Sequence, residues 1–212
     1  MSYEVMTPSA ARGILSAIYW KPQFRWVVER IHVLKPIRYM QIRRNELGCR
    51  FSAPPAEVMR GRKAASLGIF IEDNRQQRAA SVLRDVSYVI DARVEIVEEE
   101  PGVDSVAKHL EIFKRRAQSG QCFHQPCLGT REFPAMFELV TDEHPSPACE
   151  LPPDQLNRHL GLMLHDMVYT DDPKGAVICA HSHKKQTATP HFFMAQLQDG
   201  IIHVPSLSQT LS

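Results

Sequence analysis

The sequence lacks any apolar run approaching the roughly 20 residues needed to span a bilayer, so no membrane segment is expected among its 212 residues. Its first residues, MSYEVMTPSAARG, carry neither a basic leader nor an apolar stretch, which argues against a secretory signal. Cysteine is sparse and odd in number, five in all, which fits reduced thiols in the cytoplasm better than a disulfide framework. The run CFHQPC places Cys122, His124 and Cys127 close together, with Cys179, His181, His183 and His191 later. No second clean ligand pair accompanies them, so neither a metal nor any other cofactor is expected. Carboxylates are not clustered as a two-metal nuclease requires. The short run LGTREF, with Gly129 and Arg131, is too brief to be a phosphate loop. Internal repeats and low-complexity tracts are absent as well.

Net charge is also missing, at only +1, but its distribution is uneven. Residues 35–84 hold 11 Lys and Arg against 4 Asp and Glu, whereas residues 85–150 hold 6 against 13. A basic segment and an acidic one are thus hidden in a neutral total, and such asymmetry points towards a polyanionic partner. The alternative is that the two segments neutralise each other in the fold.

What is present reads as alternating helix and strand. Thr7 and Pro8 open a helix carrying Ile14, Leu15, Ile18 and Tyr19 at helical spacing, and Pro22 ends it. FRWVVERIHVLKP follows as a strand rich in β-branched and aromatic residues. From Ile37 to about Arg78 the pattern loosens into a basic arm that includes Arg38, Arg43, Arg44, Arg50, Arg60, Arg62 and Lys63. Residues 81–99 alternate as one strand, and GQCFHQPCLGTREFPAMFELV reads as extended structure interrupted by Pro126 and Pro134. The proline-rich EHPSPACELPPD reads as a linker at about residue 145. Three or four antiparallel strands follow it, with Asp199-Gly200 as a hairpin turn. With one more strand in front, the first part would be βαββαβ, the ferredoxin-like order. The expected class is therefore α+β. Residues 1–144 form a ferredoxin-like (RRM-like) domain that lacks its first strand, with the basic arm at 37–78, and residues 145–212 form a small antiparallel β-sheet domain.

The most informative stretch is DSVAKHLEIFKRRAQSGQCFHQP, residues 104–126. Ser105 reads as the N-cap of a helix with Val106, Leu110, Phe113 and Ala117 on its buried stripe. Lys108 and His109 then fall near the first turn, where the helix dipole disfavours each cation by about 0.3–1 kcal/mol. The same end can hold an anion on its free N–H groups, and it should keep His109 neutral and able to act as a base. The bland alternative is a solvated lysine beside a half-buried histidine. Lys114, Arg115 and Arg116 suit the carbonyl end of the helix and are also candidate phosphate contacts, as is Arg131. Tyr19, in IYWKP, is either core or a proton donor at a cleft.

SYEVMTPSAARGILSAIYWKP, VLKPIRYMQIRRNEL, AKHLEIFKRRAQSGQCFHQPCLGTREF and FFMAQLQDGIIHVP together resemble the Cas-five family of CRISPR-associated proteins, of the type I-C (Dvulg) subtype. The resemblance runs in order from residue 2 to 205. It implies a metal-independent endoribonuclease that cuts the CRISPR precursor transcript at the repeat hairpin, with the RNA 2′-hydroxyl as nucleophile. It further implies that the product stays bound within the type I-C interference complex, so the expected partners are repeat RNA, crRNA and the other subunits of that complex. On the matching motifs the catalytic residues are Tyr19, Lys108 and His109, while the arginines of the arm grip the RNA backbone. Non-specific DNA binding through the arm is a further expectation. In other branches of the superfamily the corresponding subunit binds crRNA without cutting it. Family members carry a further segment before SYEVMTPS that forms the first strand, which here is expected to be missing.

Overall fold

In the computed structural model, residues 2–49, 53–61, 68–97, 105–179 and 182–211 are described. Helix α1 (Pro8–Ile18) starts where Thr7 caps it, the threonine hydroxyl accepting from the Ala10 N–H at 3.2 Å. Its apolar stripe, Ala11, Ile14, Leu15 and Ile18, is buried. Strand β1 (Phe24–Val33) buries Phe24, Trp26 and Val28, then changes phase and buries Ile31 and Val33. The change is a bulge between Val28 and Arg30. Were the same residues to run on without the bulge, the period-two alternation would turn Ile31 and Val33 out to solvent.

The expected basic arm is a compact unit of its own, Arg38–Arg84 with the extreme N terminus. It is built on a two-stranded antiparallel sheet of β2 (Tyr39–Leu47) and β3 (Arg75–Leu83), with Tyr39 opposite Leu83 and Leu47 opposite Arg75. Between the strands lie two single-turn helices, α2 (Ala56–Met59) and α3 (Ile71–Asn74).

The second unit holds residues 3–37 and 85–212. Strand β4 (Tyr88–Ile96) pairs antiparallel with β1, setting Ile90 against Ile31 and Val94 against Trp26. The single strand expected over 81–99 is thus two strands, β3 and β4. Asp85, at φ 53, turns the chain between them with no glycine or proline to announce it. Helix α4 (Val106–Gln118) is capped by the Ser105 hydroxyl, which accepts from the Lys108 N–H. Its buried stripe is shifted from the expected one. His109 and Ala117 are buried and Leu110 and Phe113 half-buried, whereas Val106 is exposed.

Residues 121–140 form no regular strand, so the interruption expected at Pro126 and Pro134 extends over the whole stretch. They fold as a looped excursion tied by a bridge between Cys127 and Pro134, where Pro126 and Pro134 withhold donors from any longer ladder. After the short helix α5 (Pro153–Leu156), β5 (Arg158–Asp171), β6 (Val177–Ile178) and β7 (Lys185–Leu197) form an antiparallel sheet in the order β5-β7-β6. Asp199 and Gly200 turn the chain with φ of 50° and 78°, the doubly positive geometry of a tight hairpin. The strand after that turn, β8 (Ile201–His203), does not stay in the C-terminal sheet. It pairs with the outer edge of β1, giving a second three-stranded sheet in the order β4-β1-β8.

Helix α1 and β5 are joined by a two-pronged ion pair. The Arg12 guanidinium donates to both carboxylate oxygens of Asp166, whose Oδ1 also accepts the Met167 N–H at 2.8 Å. Burial alone would lower the Arg12 pKa, but the hydrogen bond and charge of Asp166 outweigh it and leave it raised. Asp166→Ala strands this guanidinium, and urea denaturation is expected to record a loss of about 1–3 kcal/mol; an unchanged midpoint would mean that the pair only decorates the surface.

Candidate functional site

Tyr19 is the residue at which α1 ends. Its N–H closes the last helical bond to the Leu15 carbonyl at 3.0 Å, and the chain then turns extended. Its own carbonyl accepts the Trp26 indole N–H at 2.9 Å, which fixes the helix end to β1. These two backbone bonds leave the side chain little choice of direction. It enters the space between the helices and the sheet, where it is 3% exposed.

His109 comes to the same place from α4. Its ring is 1% exposed and Nδ1 lies 3.0 Å from the Tyr19 hydroxyl. Phe24, on β1, packs against both rings, with centroids 4.7 Å from His109 and 5.5 Å from Tyr19. Arg116, two turns beyond His109, completes the arrangement. Its guanidinium lies 5.0 Å from the centre of the Tyr19 ring and donates to the Ile18 carbonyl at 3.2 Å. That contact brings a cation to the negative end of the α1 dipole and onto the tyrosine π-face at once.

The structure therefore joins two of the three expected catalytic side chains directly. Lys108, one residue before His109, is exposed while His109 is buried, as the rotation of about 100° per residue along a helix dictates. The other candidates divide. Arg116 stands against Tyr19, whereas Lys114 and Arg115 are exposed on α4 and Arg131 is exposed in the loop that follows. Arg38, Arg43 and Arg60 are exposed and Arg44 is half-buried, all within the 38–84 unit. Arg62 and Lys63 lie outside the described residues, as does Arg50. The contact between Arg116 and Tyr19 escaped the sequence reading, although its seven-residue spacing from His109 placed both on one helix face. Phe24 and Trp26 were legible only as strand core. Among the described residues no group of three or more His, Cys, Asp or Glu could hold a metal, and Cys122 and Cys127 are free thiols.

The hydroxyl–imidazole pair can pass a proton in either direction, according to which ring nitrogen carries hydrogen. With an exposed lysine beside it, the arrangement has the elements of acid–base chemistry on an anionic substrate. Comparison with known proteins agrees with the sequence resemblance. A family profile described as CRISPR-associated protein (Cas_Cas5), of the Cas5d type, matches residues 1–205. The chain belongs to the Cas5 family. A protein of Mannheimia succiniciproducens named CRISPR pre-crRNA endoribonuclease Cas5d is 50% identical over 207 residues, covering 97% of this chain and 85% of that relative. A Thermus thermophilus protein of the same name is 40% identical over 210 residues, covering 97% and 82%.

Two solved structures share the fold, each with a TM-score of 0.63. One, a functionally uncharacterized protein of Streptococcus mutans, is 21% identical and is matched over 100% of this chain and 86% of its own. The other, titled as a CRISPR-associated protein, is 23% identical, with 99% and 84% covered. At these identities the likeness concerns architecture alone: a mixed α+β chain built from several small antiparallel sheets.

The hydrogen bond at the centre of this site can be isolated. Tyr19→Phe removes one hydroxyl and leaves the ring packed on Phe24; because the buried His109 Nδ1 loses that hydroxyl, the expected loss on urea denaturation is about 1–3 kcal/mol with the fold retained. No change in stability would show that the two rings are neighbours without being coupled.

Proposed function

We propose that the chain processes CRISPR precursor RNA as an endoribonuclease, cutting at the repeat hairpin through Tyr19, His109 and Lys108. Two relatives that bear the name pre-crRNA endoribonuclease support the activity. The 3.0 Å contact between the Tyr19 hydroxyl and His109 Nδ1 is the observation that carries the residue assignment.

The reaction needs no group beyond side chains. A base takes the proton of the RNA 2′-hydroxyl and the freed oxygen attacks the neighbouring phosphorus. The bond from phosphorus to the 5′-oxygen breaks, and an acid supplies a proton to that oxygen as it leaves. Tyr19 and His109 share the two proton-transfer roles, and the order between them stays open. Lys108 offsets the charge that builds on the phosphoryl oxygens. In the arrangement described, both rings are covered and only Lys108 reaches solvent. The lysine therefore meets the phosphate first, and the buried pair engages as the RNA displaces the side chains over it. Water exclusion strengthens each electrostatic contact made there.

The finer architecture is read to match. The core of α1, β1, β4 and α4 is taken as a ferredoxin-like domain within residues 1–144, and residues 145–212 as the β-sheet domain, with β8 as the strand returned to the first. Arg38, Arg43, Arg44 and Arg60 grip the RNA backbone and fix its position without reading sequence. The product remains bound as crRNA within a type I-C interference complex, and the same arginines give a salt-sensitive affinity for duplex DNA.

Incubation with repeat RNA in excess EDTA should give one defined cut. Lys108→Ala and His109→Ala, each checked for folding by circular dichroism, should slow it by about 10²–10⁴-fold. A 2′-deoxy substitution at the cut position should abolish it. Undiminished cleavage by both variants would remove the assignment. Binding at full affinity with no cut would instead identify a subunit that holds crRNA without processing it, the reading that the burial of the pair favours.

A further inference from the structure

Two large aromatic side chains near the end of α1 that carries Tyr19 are exposed, one in part and one almost wholly. Trp20, the next residue, is 48% exposed, and Phe123, in the loop after α4, is 86% exposed. Phe123 is no frayed tip. Its backbone N–H donates to the Ala17 carbonyl at 2.8 Å, and just before it the Gln121 N–H closes onto the Arg116 carbonyl at 2.8 Å. Beyond it, the Gln125 amide donates to the Ala135 carbonyl at 2.8 Å, Pro126 is buried, and the Ala135 N–H returns to the Pro126 carbonyl. The chain is thus pinned on both sides of a ring that forgoes the burial a phenylalanine normally gains. His124 stands edge-on to that ring, with centroids 5.8 Å apart.

We propose that Phe123 and Trp20 form a stacking subsite for unpaired nucleobases beside the Tyr19–His109 pair. This inference rests on the RNA-processing reading and names how the substrate is held there. Three observations select a nucleobase as the occupant. The groups presented are flat aromatic rings rather than an aliphatic patch, and every base offers a π-face to such a ring. Both rings are anchored on the last residues of α1, continuous with the pair: Phe123 through Ala17, Trp20 through its bond to Tyr19. Exposed cations flank both rings in the chain, with Lys21 following Trp20 and Arg115 on the last turns of α4 that lead into Phe123, while Lys114 beside it is paired with Glu111. A base brings its phosphate with it, so rings flanked by cations match a single strand on both counts. Neither ring touches the reacting atoms in this account. They position the single-stranded flank of the repeat.

The test uses the full chain and a short single-stranded oligoribonucleotide bearing one 2-aminopurine, whose fluorescence falls when the base stacks on an aromatic ring. The wild-type protein should quench it. Phe123→Leu, which keeps apolar bulk, and Phe123→Ala should lose most of the quenching and weaken binding about five- to tenfold. Phe123→Trp should restore both, and Trp20→Ala should show a smaller loss. Quenching and affinity unchanged in Phe123→Leu, or no quenching by the wild-type protein, would overturn the subsite; Phe123 would then be better explained as a protein contact. Wild-type quenching without any cut in repeat RNA would instead defeat the endonuclease reading and leave the stacking subsite in place. Cleavage with unaltered quenching in Phe123→Leu would defeat the subsite alone.

Discussion

The contact on which the site depends is the hydrogen bond between the Tyr19 hydroxyl and His109 Nδ1. It joins the C-terminal end of α1 to the first turns of α4, two segments 90 residues apart in sequence, over a floor made by Phe24. Both partners are buried, so each would carry an unsatisfied polar atom without the other, and leaving such an atom unmade costs more than the bond itself contributes. Everything adjacent holds that geometry. Trp26 fixes the Tyr19 carbonyl, Arg116 covers the Tyr19 ring and Ser105 caps the helix that delivers His109. Further away, Arg12 and Asp166 tie α1 to β5. A helix terminus is normally the part of a helix most free to fray, and here it is the part most firmly held.

The electrostatics of the β4-β1-β8 sheet sharpen the picture. Its outer face is charged but self-satisfied: Arg25 pairs with Glu95, Arg30 and His32 with Asp91, and Arg93 with Glu29 and Glu95. Arg25 holds the Glu95 carboxyl below its usual range, so the negative charge persists there at mildly acidic pH. Exposed pairs of this kind add little stability, yet they leave no surplus positive charge on that face, and Phe and Tyr are absent from its outward positions. RRM sheets read single-stranded RNA with stacking aromatics on their surface. This one carries Phe24 and Trp26 inward, and the exposed rings Trp20 and Phe123 lie instead by the end of α1. Net positive charge lies on α4 and in the 38–84 unit.

Much of this was legible in the sequence, for identifiable reasons. Thr7-Pro8 and Ser105 are caps with a local mechanism, and the structure uses both. Asp199-Gly200 is a turn whose backbone demand only a few residue pairs satisfy. Other features were set by partners too distant to read locally. Nothing in LRDVS marks the turn at Asp85 that separates β3 from β4. The departure of β8 to pair with β1 depends on an edge some 170 residues earlier in the chain. Residues 121–140 are the opposite case, since Pro126 and Pro134 announce locally that no ladder runs through them. Most instructive is α4, where apolarity alone chose Val106 for the buried stripe. The structure turns the helix so that His109 faces inward, because a polar ring with a buried partner can occupy a position that hydrophobic pattern assigns to an aliphatic one.

The central claim is that side chains alone, with the RNA 2′-hydroxyl as nucleophile, cut the strand at the Tyr19–His109 pair. The most direct measurement is the chemistry of the newly made ends, read by mass spectrometry after cleavage of repeat RNA in excess chelator. The account predicts a 2′,3′-cyclic phosphate on the upstream fragment and a free 5′-hydroxyl on the downstream one. A 3′-hydroxyl opposite a 5′-phosphate would mean that water, not the neighbouring 2′-oxygen, attacked the phosphorus, and would contradict it.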